Sequence, residues 1–179
     1  MAGVKIQVQN IVLSVTYEGV VFNLERLTKS LEEARYDPEV FPGIAYKSED
    51  PKASFLIFAS GKMNCVGAKS MNDAKLAIQN LTRKLKKTGI KIKSEPKVKV
   101  QNIVASFDFG CEFDLERIAR TFENTEYEPE VFPGLVFRLE EPKTVVLLFV
   151  SGKGVCAGAK SMVDIKKSAV AVTRLLKLR

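Results

Sequence analysis

The sequence contains no histidine. The commonest general base and the commonest metal ligand are therefore missing, which weighs against an enzyme without excluding one. Cysteine is scarce and odd in number. Cys65 and Cys156 fall in apolar stretches, and Cys111 stands alone. Free, buried thiols in a reducing cytosol fit this usage better than a disulfide frame. Long hydrophobic runs are also lacking, and none approaches the ~20 residues that a membrane helix needs. No apolar stretch or cleavage site follows Met1-Ala2-Gly3-Val4-Lys5, so the start does not read as a signal peptide and no membrane partner is expected.

What is present is a hydrophobic content of 46% in 179 residues, enough for one sizeable core or two small ones. The formal charge is +7, compatible with a polyanionic partner. That charge is uneven: residues 1–91 carry 14 basic and 9 acidic side chains, residues 92–179 carry 14 and 12. The difference sits largely in the run Glu123, Glu126, Glu128 and Glu130.

The chain is also a repeat. Glu39-Val40-Phe41-Pro42-Gly43 returns as Glu130-Val131-Phe132-Pro133-Gly134, and Gly67-Ala68-Lys69-Ser70-Met71 as Gly158-Ala159-Lys160-Ser161-Met162. Pairing 24–88 with 115–179, at an offset of 91, gives 31 identities in 65 positions. Two repeats are read from this, 1–91 and 92–179. A two-fold pseudosymmetric object suits a two-fold pseudosymmetric target, of which duplex DNA is foremost.

Each half predicts the same elements. Residues 4–16 alternate, with Ile11, Leu13 and Val15 on one face and Asn10, Val12 and Ser14 on the other; Val98–Asp108 repeats the pattern. Asn23 and Asp114 cap short helices over Leu24–Glu33 and Leu115–Glu123. Short strands follow at 43–48, 52–59 and 62–68, divided by Pro-Gly and Asp-Pro signals. Ser70 with Asp73, and Ser161 with Asp164, are capping boxes opening helices over 71–88 and 162–178. Residues 89–97 read as the linker.

Two helices per half cover one face of such a sheet, and the other face carries an odd pattern. In 53–60, Ser54, Leu56 and Phe58 oppose Phe55 and Ile57; in 144–151, Val145, Leu147 and Phe149 oppose Val146 and Leu148. A strand apolar on both sides is either buried on both or carries a binding surface. Phe41 and Phe132, in turns with Pro42 and Pro133, are tucked core rings or wedges. Asn10 and Asn102 are locally satisfied amides or minor-groove readers. In that groove A·T pairs show only acceptors, while G·C adds an amino group. Lys47, Lys52, Lys62 and Lys69 match Arg138, Lys143, Lys153 and Lys160, either a phosphate-gripping rim or a solvated one.

These motifs resemble the TATA-box-binding protein family over nearly the whole chain. The markers are Gln9-Asn10-Ile11-Val12, Gln101-Asn102-Ile103-Val104, both Phe-Pro-Gly turns, both Phe-x-Ser-Gly-Lys strands and both Gly-Ala-Lys-Ser segments. The resemblance implies an α+β saddle of two pseudosymmetric repeats: a curved antiparallel ten-stranded sheet with four helices on its convex face. It implies a general transcription initiation factor of archaeal type that bends A·T-rich promoter DNA through the minor groove. Insertion of apolar wedges is that family's own recorded behaviour, not a product of the composition. By the same resemblance Phe41 with Phe58, and Phe132 with Phe149, would wedge the two ends. Asn10 and Asn102 would donate to bases, and Val12, Val104, Leu56 and Leu147 would line the groove floor. Val66 and Ala157 stand where many members carry threonine, so those hydrogen bonds are lost. Val40 stands where eukaryotic members often carry arginine.

The partners so implied are double-stranded TATA-box DNA, transcription factor B at Glu126, Glu128 and Glu130 of the second turn, and RNA polymerase indirectly. No cofactor is expected. The location implied is the cytoplasm of a prokaryote, on its nucleoid, or a eukaryotic nucleus. Two rivals compete: an accessory domain of a nucleic-acid-processing enzyme, and a structural protein self-associating through the apolar face. The same face suits homodimerisation when DNA is absent.

Overall fold

The computed structural model describes residues 3–178; Met1 and Ala2, where the start was read against a signal peptide, lie outside them. No described helix is long and apolar enough to cross a membrane. Ten strands and four helices follow in chain order: β1 Lys5–Thr16, α1 Leu24–Ser30, β2 Ala34–Arg35, β3 Gly43–Glu49, β4 Lys52–Phe58, β5 Lys62–Ala68, α2 Met71–Lys87, β6 Lys97–Asp108, α3 Leu115–Thr121, β7 Thr125–Glu126, β8 Leu135–Leu139, β9 Thr144–Leu148, β10 Lys153–Ala159 and α4 Met162–Leu175. The strand order is β2-β3-β4-β5-β1-β6-β10-β9-β8-β7. The expected ten-stranded antiparallel sheet with four helices is thus borne out.

The caps hold as read. Asn23 Oδ1 accepts from Arg26 N–H and Asp114 Oδ1 from Arg117 N–H, each at 3.0 Å. Ser70 Oγ accepts from Asp73 N–H at 3.0 Å, and Ser161 Oγ from Asp164 N–H at 3.1 Å, satisfying donors that a helix start leaves without partners. The short helices stop earlier than expected, at Ser30 and Thr121 rather than Glu33 and Glu123. Leu31 is already extended and buried, and Glu33 takes φ +64° so that the chain can turn into β2. The edge strands β2 and β7, two residues each, have no counterpart in the sequence reading. The linker shortens because β6 begins at Lys97.

By contacts the chain divides into two compact units, Asn10–Gln101 and Met1–Gln9 with Asn102–Arg179. This division follows packing, whereas the 1–91 and 92–179 division follows the sequence repeat. In the first unit, Ile11, Leu13, Val15, Phe55, Ile57, Met63 and Cys65 are buried against Ala74, Ala77, Ile78, Leu81 and Leu85 of α2. Those helix positions recur at three and four residues, one face of an α-helix. In the second unit, Ile103, Ala105, Phe107, Val146, Leu148 and Cys156 meet Ile165, Ala169 and Val172 of α4. Full burial of such side chains contributes about 1.5–3 kcal/mol each, so these cores fix which face of each unit's strands turns away from its helices.

The thiols part company. Cys65 and Cys156 are free and buried as expected, and burial pushes the Cys65 thiol up to about 11. Cys111 is free but exposed, because it lies in the turn after β6 and not within a strand.

Candidate nucleic-acid interface

Alternation places one residue in two on the face that no helix of its unit covers. In the 10–101 unit the register joins Ala45, Leu56, Asn64 and Ser14 in one row across β3, β4, β5 and β1. Lys47, Ser54 and Val66 form the next row. In the other unit Val136, Leu147, Val155 and Ser106 make the equivalent row, followed by Arg138, Val145 and Ala157. Val12, Leu56, Val66, Val104, Leu147 and Ala157 are all half-buried, while their strand neighbours Ile11, Leu13, Ile57, Ile103, Val146 and Leu148 are buried. The strands apolar on both sides are therefore core on one side and an open apolar floor on the other. A second core layer does not cover them within either unit.

The two asparagines are built alike. β5 and β10 each carry an irregularity, where the register slips between Ile11 and Leu13 against β5 and between Cys156 and Ala159 of β10. Gly67 and Gly158 take φ +90° and +89° there, backbone that L side chains rarely adopt. Their N–H groups donate to Asn10 Oδ1 and Asn102 Oδ1, both at 2.7 Å. An N–H can meet only the oxygen of an amide, so each side chain has its orientation set and its NH2 left as a free donor. The amides are thus locally satisfied through their oxygens, and their NH2 groups have no hydrogen-bond partner among the described residues.

At the end of each unit two phenylalanines meet. Phe41 and Phe58 ring centroids lie 5.8 Å apart, and Phe132 and Phe149 lie 6.0 Å apart at 70°. Phe41 and Phe132 keep 36% and 40% exposure, while Phe58 and Phe149 are half-buried. The glycine after each proline explains the motif. A Cβ on Gly43 would stand 2.9 Å from the Phe41 ring, and one on Gly134 would stand 2.6 Å from Phe132 and 2.9 Å from Phe149. Only a missing side chain lets the two rings close over the strand start. Pro42 and Pro133 are exposed beside them.

Of the rim cations, Lys47, Lys52, Lys62, Lys143 and Lys153 share strand parity with the open floor, and Lys69 and Lys160 lie in the links to α2 and α4. All are exposed. Arg138 differs: its guanidinium lies 3.2 Å from both carboxylate oxygens of Glu126. That pair joins the edge strand β7 to β8. Where the repeat puts Glu126 in one unit it puts Arg35 in the other, next to Ala45. One unit's rim is therefore basic where the other's is neutralised. Glu128 and Glu130 are exposed and make no ion pair among the described residues.

The sequence places Val145 with Leu147 and Phe149 on this face, but it points to no role for Asn64, Val136 or Val155, nor for the backbone N–H groups of Gly67 and Gly158. Val136 and Val155 lie on the strands either side of Leu147 and join its row through the sheet register, which the sequence does not state. The described residues include no cluster of acidic, cysteine or histidine side chains able to hold a metal ion.

Comparison with known proteins gives one consistent result. A family model described as transcription factor TFIID, or TATA-binding protein, matches residues 5–88 and 97–178. The TATA-box-binding protein of Pyrococcus furiosus is 48% identical over 164 residues, 92% of this chain and 85% of the relative. That of Archaeoglobus fulgidus is 44% identical over 179 residues, covering 99% and 97%. A solved structure described as Methanococcus jannaschii TBP superposes with a TM-score of 0.90 at 46% identity, covering 97% of this chain and 98% of that one.

Proposed function

The chain belongs to the family of transcription factor TFIID, or TATA-binding protein, and we propose that it bends TATA promoter DNA through the minor groove and recruits transcription factor B. It is a general transcription initiation factor that binds TATA DNA and is not an enzyme.

One observation carries the groove reading: in each unit a backbone N–H takes the asparagine oxygen, and the NH2 has no hydrogen-bond partner among the described residues, on a strand that also carries the apolar floor. A·T pairs offer acceptors to that donor and leave room for the apolar contacts. G·C pairs place their amino group against both. The phenylalanine pairs supply wedges, and unstacking a base step costs on the order of a few kcal/mol, offset by contact with the widened groove. The rim lysines reach phosphates and account for salt dependence.

The test is energy transfer between the two ends of a labelled TATA duplex, titrated beside a G·C-rich duplex of equal length. A large change on the TATA duplex alone is expected. Binding without bending, or equal binding to both duplexes, would overturn the proposal.

Recruitment of transcription factor B is assigned to Glu128 and Glu130, exposed carboxylates that make no ion pair among the described residues and that bound phosphates would repel. RNA polymerase follows through that factor. Glu130→Arg is expected to leave DNA affinity intact or slightly raised and to weaken the ternary complex with transcription factor B about tenfold. A ternary complex of unchanged affinity in a gel-shift titration would move the contact elsewhere.

A further inference from the structure

The rows of the two open faces correspond, and a polar side chain faces an apolar equivalent at two of their places: Ser54 against Val145 in β4 and β9, and Asn64 against Val155 at the middle of β5 and β10. Asn64 stands in the middle of β5, between Leu56 on one side and Ser14 on the other. Its repeat equivalent, at the offset of 91, is Val155, set between Leu147 and Ser106 in the same way. The neighbours agree, leucine with leucine and serine with serine, and both serine hydroxyls are already engaged. Gln101 Nε2 donates to Ser14 Oγ and Gln9 Nε2 to Ser106 Oγ, each at 2.9 Å. One unit thus presents an amide where the other presents an isopropyl group.

Asn64 is exposed, and its side chain has no hydrogen-bond partner among the described residues. It therefore differs from Asn10 and Asn102, whose oxygens are held by backbone N–H groups. Its amide is free to turn. It can present NH2 to the acceptors of an A·T pair, or Oδ1 to the amino group of guanine. Valine can do neither, and a guanine amino group pressed against it would be buried without an acceptor.

We propose that Asn64 is a specificity-determining residue that lifts the requirement for A·T at the base pair it faces, while Val155 enforces it. The two units then read unequal half-elements, and the protein discriminates the two orientations of an asymmetric site by its own surface. The proposal rests on the minor-groove reading given above.

The experiment places a single G·C pair at each position of a TATA duplex in turn, and beside it the inosine·C pair, which lacks the guanine amino group. Affinities are measured for the intact protein and for Asn64→Val and Val155→Asn. Valine is what the repeat itself carries at this place, so Asn64→Val is compatible with the strand; melting temperatures of both variants check the fold. For the unaltered protein one position should accept G·C as well as inosine·C, while elsewhere G·C binds at least about tenfold more weakly. Asn64→Val should bring that tenfold penalty to the tolerant position. Val155→Asn should create a second tolerant position in the other half-element. Equal G·C penalties in both half-elements, or a tolerant position unmoved by Asn64→Val, would overturn the proposal and leave the groove reading standing. Failure to prefer the unsubstituted TATA duplex over a G·C-rich one would overturn both.

Discussion

Phe149→Ala is expected to lower affinity for TATA DNA roughly 30-fold, about 2 kcal/mol, and to abolish most of the bend, while the fold survives. The two losses separate because the ring is half-buried and its aromatic neighbour, Phe132, is itself 40% exposed. Truncating a fully buried phenylalanine costs about 3–5 kcal/mol; a ring with one face open loses a fraction of that, about 1 kcal/mol. In the DNA complex the same ring would be covered completely and would hold a base step apart, so its removal there forfeits the whole contact. Phe137 provides the internal control. It is fully buried on the opposite side of β8, so Phe137→Ala should reverse the pattern, with a large fall in melting temperature. Thermal melts of both variants, beside energy transfer on the labelled duplex, check the pair. A large loss of stability in Phe149→Ala with bending preserved would make Phe149 a core residue and sink the wedge assignment.

The contrast between Phe149 and Phe137 also marks what the sequence could tell. Strands of seven to twelve residues declare their faces by alternation, so β1, β4, β6 and the side of Phe58 were legible, and the alternating run from Thr144 carries the same pattern to Phe149, one residue beyond the end of β9. The capped helices were legible too, because Ser70, Ser161, Asn23 and Asp114 act within three residues of themselves. Two-residue edge strands such as β2 and β7 hold no period to read. The early stop of α1 depends on where Leu31 finds its core contacts, which no local pattern states. Long-range pairings were hidden for the same reason. Glu126 and Arg138 were read as a partner contact and a phosphate grip, yet fold into a single ion pair. Asn64 was passed over because a repeat draws attention to its identities. The place where the copies differ in chemistry, amide against isopropyl, becomes visible once the register shows that its direct cross-strand partners, leucine and serine, agree.

The most severe loss of DNA binding is expected from Asn102→Asp, a change of one NH2 for one oxygen. The link from Gly158 N–H to the side chain at 102 is 2.7 Å long and needs only an acceptor there. A carboxylate accepts as well as an amide oxygen and gains a charge-assisted hydrogen bond, so the glycine's positive-φ bulge and the strand pairing around it should persist. What changes is the outward atom. On the proposed groove reading, the NH2 that would meet acceptor atoms on the bases becomes an oxygen bearing negative charge, which would meet N3 and O2 between the phosphates of the groove. A good donor–acceptor pair at a base edge is worth about 1–3 kcal/mol, and replacing attraction by repulsion in a groove cleared of water costs more than its loss. Affinity should fall at least about 100-fold, with an unchanged or slightly higher melting temperature. Asn102→Ala separates the two functions of the side chain. It removes the acceptor for Gly158 as well as the donor to the base, so it should lose some stability and less affinity than the aspartate. Fluorescence anisotropy titrations and thermal melts of the two variants give the ordering. If alanine and aspartate bind DNA equally well, the outward NH2 is not in contact with a base, and the asparagine serves only to hold the bulge.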